Sequence, residues 1–252
     1  MSDKRINTAV LLAAGMGNRL RPFTDNKPKC MVEIAGKPLL AHTMNALEKS
    51  GFNKLVVVTG YKSEILKNYI EDYPNSLEIK FVHNESYSST NNIYSLWLAA
   101  NELNCGFTLI ESDLIMESDI LEKFTNPNRI ALDIYNPDLH SGTTASVCND
   151  GYLKNLYLKN SINPEKEELF KTVNIYSLCF QSGKKLLHEI DQIIKRGDVN
   201  SFYELAIIEL MKRNEITLKM VNFNTVWWDE IDTPDDLERV DRYYSKYFSY
   251  YQ

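Results

Sequence analysis

The sequence predicts an α/β fold, a mostly parallel sheet flanked by helices. Two observations carry this. Short apolar runs alternate with segments of helical periodicity through the first half of the chain. Several of those runs also end in polar, turn-prone residues, and sheets of this kind bind ligands beyond the carboxyl ends of their strands.

Val10 to Ala14 is a short apolar run and reads as a buried strand. Pro38 to Ser50 places Leu39, Leu40, Met44 and Leu47 on one helical face. Lys54 to Thr59 is a β-branched strand, Ser63 to Ile70 a helix and Leu77 to His83 a strand. Asn91 to Leu103 aligns Ile93, Leu96, Trp97 and Ala100 as a helix face, and Gly106 to Ile110 is a strand that ends at Glu111-Ser112-Asp113. The second half is less regular. Short strands are expected at Ile130 to Tyr135, Ala145 to Cys148, Leu153 to Leu158, Val173 to Phe180 and Thr217 to Val221, with helices at Lys184 to Lys195 and Phe202 to Asn214. A last helix, about 235–251, puts Val240, Tyr243, Tyr244, Tyr247, Phe248 and Tyr251 on one stripe, which reads as a packed face with a homodimer contact as the alternative. Without a Pro/Ser-rich linker or an internal repeat, residues 1–252 read as one domain.

With 44% hydrophobic residues the chain can bury a substantial core. A formal charge of −6 argues against broad electrostatic binding to nucleic acid. No stretch approaches the roughly 18 apolar residues of a membrane span, and the first ten residues lack a secretion signal, so a cytoplasmic protein without a membrane partner is expected. Cys30, Cys105, Cys148 and Cys179 are too scattered for a zinc site and read as buried free thiols.

The most informative segment is Val10 to Pro38. The apolar run ends in Gly15-Met16-Gly17, a turn that lets backbone amides face outward, and Arg19, Arg21 and Lys29 follow. Bare N–H groups followed by cations at a strand end form a polyphosphate cradle. The same placement at a strand end holds for Thr59-Gly60-Tyr61 and for Asp113, so three strand ends converge on one candidate site. Near the C-terminus, Glu230 and Asp232 lie two residues apart, on one face of an extended chain. With Asp113 they make a hard-oxygen set suited to Mg²⁺, although Asp113 and Asp232 would also serve as helix caps. None of the four histidines has a convincing catalytic setting.

The pattern G-x-G-x-R-L-x-P-x-T followed by P-K, carried by Gly15, Gly17, Arg19, Leu20, Pro22, Thr24, Pro28 and Lys29, resembles the signature of the nucleotidyltransferases that include sugar-phosphate nucleotidylyltransferases and CTP:phosphocholine cytidylyltransferases. The resemblance implies a Rossmann-like core at about 1–125 and 217–240 and an acceptor-binding part at about 126–216. It implies that Leu12, Ala13, Ala14, Gly15, Met16 and Gly17 wrap a nucleoside triphosphate. Arg19 would bind that triphosphate, Lys29 would neutralise charge at the α-phosphorus, and Asp113 and Asp232 would hold Mg²⁺ with Glu230 as a further contact.

The stretch N-N-I-Y-S-L, Asn91 to Leu96, is similar to phosphocholine-type cytidylyltransferases and departs from the glycine-rich helix start of the sugar branch. It favours CTP, with Asn91 and Ser95 at the nucleotide, Asn92 and Tyr94 at the acceptor, and Thr59, Gly60 and Tyr61 near the base. Lys159 falls roughly where the family has a phosphate-contacting lysine. Thr172 and Asn174 lie at a strand mouth as acceptor candidates. Tyr94, Trp227 and Trp228 would box an ammonium, unless the tryptophans are core. The expected activity is Mg²⁺-dependent CMP transfer from CTP to 2-aminoethylphosphonate or phosphocholine. The alternatives are a sugar-1-phosphate nucleotidylyltransferase using UTP, dTTP or GTP, and an inactive nucleotide-sensing subunit.

Overall fold

The computed structural model describes residues 5–158 and 168–247. In chain order its strands are β1 Thr8–Ala13, β2 Glu33–Ile34, β3 Lys37–Pro38, β4 Lys54–Thr59, β5 Glu78–His83, β6 Phe107–Glu111, β7 Leu114–Met116, β8 Arg129–Ile134, β9 Thr144–Val147, β10 Leu153–Tyr157, β11 Phe170–Leu178, β12 Lys219–Asn222 and β13 Trp228–Glu230. The helices are α1 Leu39–Lys49, α2 Ser63–Asp72, α3 Asn92–Leu98, α4 Phe180–Lys195, α5 Glu204–Lys212 and α6 Pro234–Tyr247.

Nine strands form one sheet in the order β10-β9-β11-β6-β1-β4-β5, with β8 beside β11 and β12 beside β8. The segment β6-β1-β4-β5 is parallel. From β6 outward the sheet turns antiparallel at β11, which pairs with β6, β8 and β9. The expected mostly parallel sheet flanked by helices is therefore present, with an antiparallel extension. Its central strands are continuous apolar runs because both faces are covered: β1 is buried along its whole length. On one face Leu40 and Met44 of α1 and Leu66 and Ile70 of α2 meet the sheet. On the other, Ile93 and Leu96 of α3, Leu186 and Ile190 of α4 and Ile207 of α5 do so.

The chain leaves β1 for β4 and β5 on one side and returns to β6 on the other. The crossovers diverge between β1 and β6, opening a crevice at the carboxyl ends of those strands.

Several expectations shift. The helix expected over 91–103 ends at Leu98 and tightens into a 3₁₀ turn, Ala99–Glu102. The small ladders β2–β3 and β7–β13 went unread, because two or three residues carry no periodicity. Cys148 is exposed and Cys30 buried, while Cys105 and Cys179 are intermediate, so the four are not uniformly buried thiols. On α6, Leu237 and Val240 pack with Leu20, Ile34 and Ile231, whereas Tyr243 and Tyr247 are exposed. Phe248 and Tyr251 lie outside the described residues. Among the described residues no helix is long and apolar enough to cross a membrane.

Candidate active site

The loop after β1 explains its own motif. Gly17 has φ 61°, and a Cβ there would stand 3.1 Å from both Lys29 Cβ and Thr24 Cγ2. A side chain at this position would be strained by the backbone conformation and crowded by its neighbours. Buried Thr24 donates to the Gly17 carbonyl at 2.8 Å, and Leu20 is fully buried. The fixed spacing of glycine, leucine and threonine thus folds the loop on itself and leaves Arg19 projecting, with 67% of its side chain exposed. Lys29 opens a 3₁₀ turn, Lys29–Met31, and is only 14% exposed.

Two carboxylates come to this lysine. Asp113 lies between β6 and β7, and the β7–β13 ladder continues into a bond from the Ile231 N–H to the Asp113 carbonyl at 3.0 Å. Ile231 is fully buried, which anchors the segment. The start of α6 is capped by Thr233 and Asp236, which exchange side-chain and backbone bonds in a capping box. Asp232 is therefore free of the capping role. Lys29 Nζ donates to Asp113 Oδ2 at 2.7 Å and to Asp232 Oδ1 at 2.5 Å, and Arg19 Nη2 pairs with Asp232 Oδ2 at 2.9 Å. Burial alone would lower the Lys29 pKa, but Asp113 and Asp232 outweigh it and raise it above the ordinary value. Burial would raise that of Asp113, but Lys29 outweighs it and lowers it. Both groups are charged at neutral pH. Asp113 Oδ1 is buried without a partner among the described residues.

Around this cluster lie two adjoining chambers. The first, about 360 Å³, is lined by Leu12, Ala13, Ala14, Gly15 and Gly17 of the loop and by Asn91, Asn92 and Ser95 at the start of α3. The second, about 200 Å³, is lined by Lys171, Asn174, Glu204 and Glu230. Arg19, Asn92, Glu111, Asp113, Phe202 and Asp232 border both. The chemistry-bearing cluster is the wall between two pockets.

Other expected residues fall elsewhere. Met16 is not on the lining of either chamber. Thr59, Gly60 and Tyr61 stand behind the first chamber: the Tyr61 N–H bonds the Ala14 carbonyl at 3.0 Å, and a Cβ on Gly60 would lie 2.7 Å from that same oxygen. They brace the loop. Thr172 is buried, donating to the Thr143 carbonyl at 3.0 Å. The aromatic box does not form. Tyr94 leans on Trp97, Trp227 stacks on Tyr243, and Trp228 donates Nε1 to Asp133 at 2.6 Å. Glu230 accepts from Lys171 at 2.9 Å while Asp232 faces Lys29, so the two carboxylates take different cations. Among the described residues no three acidic, histidine or cysteine side chains gather as a metal-ligand set, so the expected carboxylate trio is a pair. Lys159 lies outside the described residues.

Sequence reasoning missed Lys171, Glu204, Glu111 and Asn84. Lys171 is a nearly buried cation within β11, which begins ahead of the expected Val173 to Phe180 run, so no sequence pattern marked it. Asn84 is 1% exposed and ties the loop before α3, donating to Thr90 Oγ1 and Ser95 Oγ at 3.1 Å each. Glu111 accepts from Asn92 and from Tyr203 at 3.1 Å. Burial, then the nearby Asp113, Glu204 and Glu230, push its pKa well above the usual carboxylate range.

The model of the nucleotidyl transferase family matches residues 8–134, half of the chain and all of the loop after β1. The chain belongs to the nucleotidyl transferase family. Relatives of this nucleotidyl transferase include the bifunctional IPC transferase and DIPP synthase of Aquifex aeolicus, 29% identical over 96% of this chain and 52% of the relative. The CMP-5'-(3-aminopropyl)phosphonate synthase of Streptomyces rubellomurinus is 28% identical over 92% of this chain and 38% of the relative. The chain thus spans about half or less of those two proteins. The CTP:phosphoglutamine cytidylyltransferase of Campylobacter jejuni is 28% identical over 91% of this chain and 97% of its own length. Among solved structures, the CTP:phosphocholine cytidylyltransferase of Streptococcus pneumoniae shares the fold at TM-score 0.80 and 22% identity, covering 95% of this chain and 99% of that one.

Proposed function

We propose that this nucleotidyltransferase uses CTP, transferring CMP to a small phosphonate or phosphate monoester with release of pyrophosphate. The observation that carries the reading is the shared wall: Arg19, Asp113 and Asp232, with Lys29 bridging the two aspartates, separate a chamber behind a glycine-rich loop from a smaller one. Donor and acceptor would meet across the charged cluster. Relatives named for CMP or CTP chemistry on phosphonate and phosphate acceptors support the choice of base and of acceptor class.

The triphosphate lies on the Gly15–Gly17 turn with Arg19 over it, and Lys29 faces the α-phosphoryl group. An anionic oxygen of the acceptor attacks the α-phosphorus with its lone pair. The bond from that phosphorus to the α–β bridging oxygen breaks, and pyrophosphate leaves with the electron pair. The acceptor oxygen is already charged, so no general base is needed, and catalysis is positioning and charge neutralisation. Asp113 and Asp232 fit a hard divalent cation such as Mg²⁺, since Asp113 Oδ1 is a buried carboxylate oxygen lacking a partner among the described residues. When bound, such an ion supplies further neutralisation at phosphate oxygens. Lys29, held by the two carboxylates, keeps its ammonium at the wall where the α-phosphoryl group would lie.

The test is pyrophosphate release with CTP, UTP, dTTP and GTP, each against phosphocholine, 2-aminoethylphosphonate, phosphoglutamine and hexose 1-phosphates, with and without Mg²⁺. Metal-dependent turnover is expected with CTP and a small non-sugar acceptor. Turnover restricted to a hexose 1-phosphate with UTP or dTTP contradicts the reading.

A further inference from the structure

The second chamber has more carboxyl groups than cations on its lining. Its acidic lining is Glu111, Asp113, Glu204, Glu230 and Asp232, against Arg19 and Lys171. Asp113 and Asp232 are answered by Lys29 and Arg19, and Glu230 by Lys171. No cation is paired with Glu204 among the described residues. Its Oε1 accepts from Thr143 Oγ1 at 3.4 Å, while its Oε2 is buried without a partner among the described residues, and the residue is only 3% exposed. A carboxylate oxygen left bare at that depth costs free energy that a hydrogen-bonding cation would recover.

Position adds to this. Glu204 and Thr143 line the second chamber alone, whereas Asp113 and Asp232 border both. An acceptor whose phosphoryl group reaches the shared wall therefore presents its other end to Glu204. That end faces carboxylates, with Phe202 the one aromatic ring on the lining among the described residues. Quaternary ammonium groups are held by several aromatic faces, whereas a primary ammonium needs acceptors for its N–H groups.

We infer that Glu204 binds the ammonium group of the acceptor, and that this acceptor is a small primary-amine phosphonate or phosphate monoester, not a quaternary one. The inference rests on the nucleotidyl-transfer reading above. Burial pushes the Glu204 carboxyl up to about 7 against the opposing pull of Lys171, and an adjacent ammonium supplies the countercharge it lacks.

The experiment compares kcat/KM for 2-aminoethylphosphonate, its N-trimethyl derivative and ethylphosphonate, which lacks nitrogen, using CTP and the wild-type chain. The primary amine is expected to exceed both others by at least about tenfold. In Glu204→Gln the ratio of the primary amine to ethylphosphonate should fall towards one. Equal rates for amine and ethylphosphonate in the wild type overturn the inference while leaving nucleotidyl transfer standing. Preference for the trimethyl compound, or an unchanged ratio in Glu204→Gln, also overturns it. The wild-type series decides the acceptor class even if the variant does not fold. Absence of turnover with CTP and every acceptor of both panels would instead remove the underlying reading.

Discussion

The two chambers are built in different ways. The first rests on the parallel strands β1, β4 and β6 and takes most of its shape from backbone: a glycine turn, a braced carbonyl and the start of α3. The second hangs on the antiparallel extension around β11 and takes its shape from charged side chains that arrive from distant parts of the chain, Lys171, Glu204 and Glu230. A triphosphate is the same for every nucleotide, so a backbone cradle suffices. On the proposed function an acceptor is recognised by its particular charges, so its pocket would depend on single side chains. Substitutions should therefore act on different kinetic quantities in the two regions.

The largest effects belong to the wall they share. Asp113→Asn and Asp232→Asn should each lower kcat by a hundredfold or more, on the order of 3 kcal/mol of transition-state stabilisation. Near-normal turnover in both, measured by pyrophosphate release at saturating Mg²⁺, removes the carboxylate pair from the chemistry. Next comes a contrast between the two cations. Lys29→Ala should depress kcat far more than it weakens CTP binding if, as proposed, Lys29 acts where charge develops; Arg19→Ala should harm both. A Lys29→Ala variant with a raised KM and intact kcat would reverse those roles.

Gly60→Ala should be milder and confined to the donor side. The added methyl would crowd the Ala14 carbonyl and displace the loop, raising the KM for CTP by roughly 10-fold to 100-fold. An unchanged KM would show that the brace is not needed. The smallest effect concerns stability. The Glu204 carboxyl titrates at about 7 in the folded chain against an ordinary 4.5, so the folded state holds the extra proton in that window. Its contribution therefore falls as pH rises from about 4.5 to 7. Glu204→Gln should lack that decline and be more stable than wild type at pH 8, by at most about 3 kcal/mol. Parallel pH dependence of the two unfolding curves contradicts the assignment.

The same contrast governs what the sequence disclosed. Gly15, Gly17, Arg19, Thr24 and Lys29 sit in one short segment whose spacing is dictated by a loop folding on itself, so the motif and the geometry are the same information. Asp113 and Asp232 were readable as acidic residues at strand ends, and the Ile231 N–H to Asp113 bond shows why they meet. Lys171 and Glu204 were not readable, since an isolated lysine in a strand and a glutamate opening a helix ordinarily face water; only the packing of β11 and α5 buries them. Tyr94 and Trp228 misled for the converse reason. Each has a partner within the protein, Trp97 and Asp133, which residue type alone does not reveal.

The division between donor and acceptor chambers is tested most directly by steady-state kinetics of Lys171→Ala, varying CTP and the amine acceptor separately. A rise of tenfold or more in the acceptor KM, with the KM for CTP within about twofold of wild type, is the expected result. Equal increases in both, or an increase for CTP alone, would contradict the assignment of the second chamber to the acceptor.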